Sequence, residues 1–194
     1  MPNHVTNRLR ITGSVYDVRE LSRFVSSDKM VKTWNNETIR CPFDFDKIIP
    51  QTKDVIKSLD DPDYYPKGWE KDLGWKPLFK TPWMSKPSEY WYEWRLKKWG
   101  TKWNSYDFTV DLDGNDGVFT IWFNTAWSAP HEVIRALFDR FPTVSIDHRW
   151  ADEDIGRNCG IIKYRTVDGK KTLKCKDMTG HDRWCRDVFN RRIG

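Results

Sequence analysis

Two periods organise the chain, one of two residues and one near 3.6. Val5, Leu9 and Ile11 share parity and alternate with Arg8, Arg10 and Thr12, which predicts a strand over 5–12 ended by Gly13. Ser14 then stands three residues before Asp17 as a helix cap, and Val18, Leu21, Phe24 and Val25 form the buried stripe of the helix that follows. Further on, Phe108, Val110 and Leu112 alternate with Thr109, Asp111 and Asp113. DGNDG turns the chain at 113–117, and the run 118–123 is apolar on both faces, so a hairpin is expected. Ile134, Leu137, Phe138 and Phe141 recur at i, i+3, i+4 and i+7, which predicts a helix capped by Ser128, with Pro130 in its first turn and Glu132 near it, and stopped by Pro142. Val144, Ile146, His148 and Trp150 then alternate with Thr143, Ser145, Asp147 and Arg149 as a strand, His148 being expected at the sheet edge. Asp168 and Gly169 form a two-residue turn within GIIKYRTVDGKKTLKCK. HDRWCRDVFNRR closes the chain as a short helix, docked by Trp184, Val188 and Phe189 and ending on Arg191 and Arg192.

The region between the first helix and the hairpin is weakly patterned. CPFDFDKIIP (41–50), bounded by Pro42 and Pro50, reads as an extended segment lying on the core. Pro62, Pro66, Gly68, Gly74, Pro77, Pro82 and Pro87 keep helices short over 51–98. The clearest helix there has Ser88 as cap, Glu89 in its first turn, Lys97 and Lys98 at its end and Gly100 as its stop, with Trp91, Trp94, Leu96 and Trp99 on an aromatic face. With this insertion set aside, the order is strand, helix, strand, strand, helix, strand. That is the α+β, ferredoxin-like (split βαβ) arrangement, in which right-handed crossovers put two helices on one face of an antiparallel sheet. The expected organisation is a ferredoxin-like domain over 1–159 with a Trp-rich insertion at about 41–98, and a basic C-terminal hairpin and short helix over 160–194 packed on it.

Composition changes this picture in two ways. Twelve tryptophans accompany a mean hydropathy of −0.77, so much of the aromatic surface must be half exposed or lie under loops. The net charge of +5 is also uneven: residues 105–159 carry 4 basic and 10 acidic side chains, and 160–194 carry 10 and 4. A basic tail permits a polyanion contact without demanding one. No stretch has the apolar length of a bilayer span and MPNHVTNRLRIT has no signal-peptide core, so a soluble protein that stays where it is made is expected. Cys41, Cys159, Cys175 and Cys185 show no CxxC, which fits free thiols in a reducing cytoplasm.

The leading candidate site joins the two tryptophan turns, WGTKWN and TAWSAP. The loop before the second strand and the loop after the third leave a ferredoxin-like sheet at the same end. Trp99, Trp103 and Trp127 would then offer stacking faces and Lys102 a cation, with Thr101, Asn104, Asn124, Thr125 and Ser128 as hydrogen-bonding groups. The same indoles would serve equally to lock the insertion onto the sheet. A zinc set of Cys159, Cys175, His181 and Cys185 is a weaker candidate, because it lacks the usual tight pair. Asp152, Glu153 and Asp154 are consecutive, and Asp111, Asp113 and Asp116 lie near a turn, so neither group converges as a metal hydrolase requires. There is no nucleophile elbow, phosphate-binding glycine loop or HExxH. An enzyme is the weaker class, and no cofactor is implied. An open sheet face of the kind used by RNA-recognition modules is conceivable, with Phe119, Ile121 and Phe123 on one side of the third strand and Val118, Thr120 and Trp122 on the other. The aromatic and glycine signature of those modules is missing.

MPN at the N-terminus, NRLRITG (7–13), FDFDKIIP (43–50), WGTKWN (99–104), TAWSAP (125–130) and ADEDIGRNCG (151–160) together resemble the YubB-like ferredoxin-like-domain family of bacteriophages and plasmids. The resemblance runs from residue 1 to about 160. It implies a ferredoxin-like core with an insertion, residence in the cytoplasm of a bacterial host, and an accessory role. By analogy with other small proteins of such elements, it points to a non-enzymatic counter-defence inhibitor, for example of the anti-CRISPR type, that binds a host protein or nucleoprotein. Trp99, Lys102, Trp103, Asn104, Trp127 and Ser128 would be its contact residues. The alternative is a nucleic-acid or nucleotide-binding protein that uses the same turns and the basic tail.

Overall fold

The computed structural model describes residues 3–33, 36–61, 67, 90–111 and 116–190. In chain order the elements are β1 (His4–Thr12), α1 (Val15–Val25), β2 (Met30–Lys32), β3 (Thr38–Arg40), α2 (Phe45–Ile48), α3 (Lys53–Asp60), α4 (Tyr90–Lys98), β4 (Tyr106–Asp111), β5 (Val118–Ala126), α5 (His131–Arg140), β6 (Ser145–Asp152), β7 (Gly160–Val167), β8 (Lys170–Asp177) and α6 (Asp182–Phe189). β1 pairs antiparallel with β5 on one side and with β6 on the other, and the six-stranded order is β4-β5-β1-β6-β7-β8. The first four of those strands have the ferredoxin-like order. β7 and β8 continue the same sheet, with Ile146 opposite Tyr164 and Trp150 opposite Gly160. β2 and β3 make a separate small ribbon.

The alternation in β1 decides which face is buried. Leu9 and Ile11 lie opposite Ile121 and Phe119 on β5 and His148 and Ile146 on β6. They join Val18, Leu21 and Val25 of α1 and Val133, Ile134, Leu137 and Phe138 of α5 in one core. Each such side chain contributes about 1.5–3 kcal/mol on leaving water. Phe119, Ile121 and Phe123 therefore face the two helices, and Thr120 and Trp122 point the other way with Arg8 and Arg10. α6 covers one end of that second face, where the Thr6 hydroxyl donates to the Phe189 carbonyl at 3.3 Å and Ala151, Cys159, Met178, Cys185 and Val188 form a smaller core.

Local chemistry explains most of the boundaries. Ser14 caps α1, accepting from the Asp17 N–H at 3.0 Å while its hydroxyl donates to the Asp17 carboxylate at 2.8 Å. Asp168 and Gly169 both take positive φ, as a two-residue hairpin turn requires. At the end of the β4–β5 connection, Gly117 has φ +68° and its carbonyl accepts from the Gly13 N–H at 3.0 Å. A Cβ there would lie 2.2 Å from the Gly13 carbonyl oxygen. Gly117→Ala is expected to cost about 1–3 kcal/mol, read as a lowered urea midpoint.

Several expectations are corrected. The segment at 41–50 is not simply extended: the Asp44 carboxylate accepts from the Asp46 N–H and starts the single helical turn α2. The weakly patterned stretch after α1 forms β2 and β3. Ser128 does not cap α5, because Pro130 occupies the cap position and the Ser128 hydroxyl donates instead to the Gly100 carbonyl. His148 is not at an edge: β7 and β8 extend the sheet beyond β6, and His148 faces the helices fully buried. The expected cap Ser88 with Glu89, the seven helix-interrupting prolines and glycines, Leu112, Asp113, Arg191 and Arg192 lie outside the described residues.

A candidate aromatic rim

β4 begins and β5 ends at the same margin of the sheet, with Tyr106 opposite Asn124, so the turns before and after this ribbon come together. Thr101 fastens them, its hydroxyl donating to the Ala126 carbonyl at 2.7 Å and accepting from the Ala126 N–H at 3.2 Å. Thr125 donates to the Ser128 carbonyl at 2.8 Å and accepts from the Asn7 amide at 2.9 Å. Asn124 accepts from Thr6 at 3.1 Å and donates to Asp107 at 3.2 Å. These polar groups are thus engaged within the protein.

Asn104 is likewise internal. Its amide donates to Asp44 at 2.7 Å, and its oxygen accepts from the Phe45 and Ser105 N–H groups at 3.0 and 2.9 Å. Burial alone would raise the Asp44 carboxyl, but the Asn104 hydrogen bond, the Lys29 ammonium at 3.0 Å and the Asp46 N–H hold it below the usual carboxylate range. Trp99 belongs to the core. It is fully buried, its indole N–H donates to the Ile49 carbonyl at 2.9 Å, and it packs edge-on against Phe45 and Trp94.

The accessible part of the rim is an aromatic box around Lys102. Its ammonium lies 5.0 Å from the ring centre of Trp127, 5.4 Å from Tyr92, 5.7 Å from Trp103 and 5.9 Å from Trp91. Distances of this kind are those of cation–π attraction, about 0.5–1 kcal/mol where exposed and more where water is excluded. Trp103 and Trp127 remain 36% and 40% exposed. Tyr92 packs edge-on against Trp127 and Trp103 against Tyr106, whose hydroxyl shares a 2.6 Å hydrogen bond with His4 Nδ1. Burial, and then the nearby Asp107 and Glu153 carboxylates, push the Tyr106 hydroxyl well above its ordinary range. Trp127 has φ +68°, a left-handed conformation that is costly for a bulky residue. Asn3 holds it there, its carbonyl accepting from the Trp127 N–H at 2.9 Å, and the Asn158 amide donates to the Trp127 carbonyl at 3.0 Å.

Of the residues expected at this site, Lys102, Trp103 and Trp127 lie on the accessible rim, and Trp99, Asn104 and Ser128 act inside it. Tyr92 was not anticipated. Trp91 was read with Trp94 as one packing face, and nothing in the helical spacing separates the residue that meets Lys102 from the one that enters the core.

The zinc set does not form. Cys159 and Cys185 are joined as a disulfide with Cα atoms 6.2 Å apart, correcting the expectation of four free thiols, and Cys175 stands exposed on β8. No group of three or more His, Cys, Asp or Glu side chains suited to a metal ion occurs among the described residues. Asp152 is buried and shapes its turn, accepting from Asn3, Asn158 and the Asp154 N–H at 3.2, 2.9 and 2.9 Å. No described helix is long and apolar enough to cross a membrane.

An antiparallel sheet with the β4-β5-β1-β6 order, backed by α1 and α5 on one face, makes this a ferredoxin-like α+β protein. Residues 98–183, from the end of α4 into α6, match the family model described as the ferredoxin-like domain in Api92-like protein. A solved structure, that of the protein api92 from Yersinia pseudotuberculosis, aligns over 85% of this chain and 95% of its own with 11% identity and a TM-score of 0.48. No curated protein matches the chain.

Proposed function

We propose that this is a non-enzymatic binding protein whose contact surface is the rim formed by Trp103, Trp127 and the boxed Lys102. Trp127 carries the reading. A bulky residue in the left-handed region costs on the order of 1–3 kcal/mol, and here that cost presents an indole that stays 40% exposed. A glycine would satisfy the same turn without strain. Exposed tryptophans beside a held cation suit a protein partner, because rigid indoles dominate the energetics of such contacts. The partner we propose is a host protein or nucleoprotein. The setting is an accessory protein of a phage or plasmid acting in the bacterial cytoplasm, as a counter-defence inhibitor of the anti-CRISPR kind. Support for that setting comes from the motif resemblance and from the similarity of residues 98–183 to an Api92-like domain.

Trp127→Gly tests the reading, since it relieves the backbone and removes the indole. The urea midpoint should be unchanged or slightly higher, while affinity capture from host cells followed by mass spectrometry should lose the partners retained by the unaltered protein. Capture of the same partners by Trp127→Gly would refute the rim as the contact. The second reading, nucleic-acid or nucleotide binding at the same rim, is favoured by the placement of Lys102 among rings on which a base stacks. It requires capture that is nuclease-sensitive and falls steeply between about 50 and 200 mM salt.

A further inference from the structure

We infer that the sheet face opposite α1 and α5, beyond the end covered by α6, binds the phosphate backbone of a single-stranded nucleic acid through Arg10, Arg149, Lys163, Lys174 and Lys176. This site is separate from the aromatic rim. The strand registers set out its charges in rows. One row runs across the sheet as Arg8, Arg149, Ile161 and Lys176, and the next as Arg10, Asp147, Lys163 and Lys174. On the residues of β1, β6, β7 and β8 that point this way, Asp147 is the one carboxylate, and Arg165 already pairs with it. Arg10, Lys163, Lys174 and Lys176 are exposed.

Like charges directly opposite one another on neighbouring strands destabilise a sheet. Here Arg8 faces Arg149 and Lys163 faces Lys174. Lysines along β8 alone would be explained as protection of an edge strand against pairing with another chain. Arg10, Arg149 and Lys163 sit on interior strands, where that need does not arise. The Arg149 Nε is buried without a hydrogen-bond partner among the described residues, a cost that an anionic oxygen at this face would relieve.

The form of the charge selects the ligand. Neighbouring strands are roughly 4.8 Å apart and alternate residues along a strand roughly 6.6 Å. Cations held on such a lattice suit a polymer with a regularly repeated anion better than the irregular carboxylates of an acidic protein. The four strands span only about 14 Å, a width that takes one extended strand and not a duplex.

The test is fluorescence anisotropy of a labelled oligothymidylate of roughly 20 nucleotides, using the whole chain at about 50 mM salt. The comparison variant is the triple Lys163→Gln, Lys174→Gln, Lys176→Gln, with circular dichroism to verify its fold. The unaltered protein should bind, and the triple variant should bind at least about tenfold more weakly, with the slope of log affinity against log salt reduced by about 2. Trp127→Gly should bind the oligonucleotide as the unaltered protein does, so this result is independent of the rim's role. The inference is overturned by failure to bind at low salt or by undiminished binding in the folded triple variant. It is equally overturned by preference for duplex of the same length, by equal displacement with polyglutamate, or by loss of binding in Trp127→Gly alone.

Discussion

Trp99→Ala is expected to destabilise the protein by about 3–5 kcal/mol, the largest effect of any single change to the tryptophan turns. Trp99 is fully buried against Phe45 and Trp94, and the Arg95 guanidinium lies 5.0 Å from its ring centre. Truncation would leave a cavity the size of an indole in a region held by aromatic edges, and would deprive the Ile49 carbonyl of its hydrogen bond. The loss should appear as a large fall in the urea midpoint. Trp103→Ala, at a ring already 36% exposed, should move that midpoint by about 1 kcal/mol or less. A change of under about 1 kcal/mol for Trp99→Ala would contradict its place in the core.

Acidification is expected to weaken the fold in a window set by two histidines. His148 is fully buried on β6; its Nε2 is 3.0 Å from the Asn7 side-chain oxygen, and its ring lies 5.5 Å from that of His131 on α5. Burial first, and then the neighbouring His131, hold the His148 imidazole well below the usual histidine range. His131 is lowered by its own burial, with Glu132 opposing and Arg135 adding to the shift. Unfolded histidines take up protons near pH 6.5, and these native ones do so only lower. Between those values the unfolded chain binds more protons, so stability is complete above about pH 6.5 and declines as the pH falls below it. Each histidine contributes up to about 1.4 kcal/mol per pH unit in that window. Urea unfolding at about pH 7.5 and 5.5 should differ by about 1–3 kcal/mol. Asp44 acts in a separate, lower window: its depressed carboxyl stabilises above the unfolded value of 3.8, and that contribution is lost as pH falls through the lower native value. Equal stability at the two pH values would mean that the histidines are not held neutral.

Elements with a strong period were legible before any coordinates. The stripe Val18, Leu21, Val25 with the Ser14 cap, the stripe Ile134, Leu137, Phe138 and the Asp168-Gly169 turn all follow from residue type and spacing. The elements that escaped have no period to read. β2 and β3 are three residues each, with both outer positions exposed, and α2 is a single turn dependent on one aspartate. The placement of His148 failed for a topological reason: the alternation of β6 is the same whether or not β7 joins beside it. The pairing of Cys159 with Cys185 depends on α6 folding back across the sheet, which cysteine spacing does not encode. At the rim, sequence identified the turns that meet but not which indole each turns inward. Trp99 follows a helix whose end is tied to Ile49, whereas Trp103 and Trp127 sit where the chain reverses, and only packing tells them apart.

The bond from Trp99 to Ile49 joins residues 50 positions apart in the chain. The long excursion between them therefore leaves and re-enters the domain at nearly one point, like a loop of rope cleated at both ends. Loop-closure entropy rises only slowly with length, by roughly 0.6 kcal/mol per doubling. The body of the domain is thereby insulated from what the excursion contains, and that stretch is free to lengthen, shorten or be exchanged while the strands keep their places.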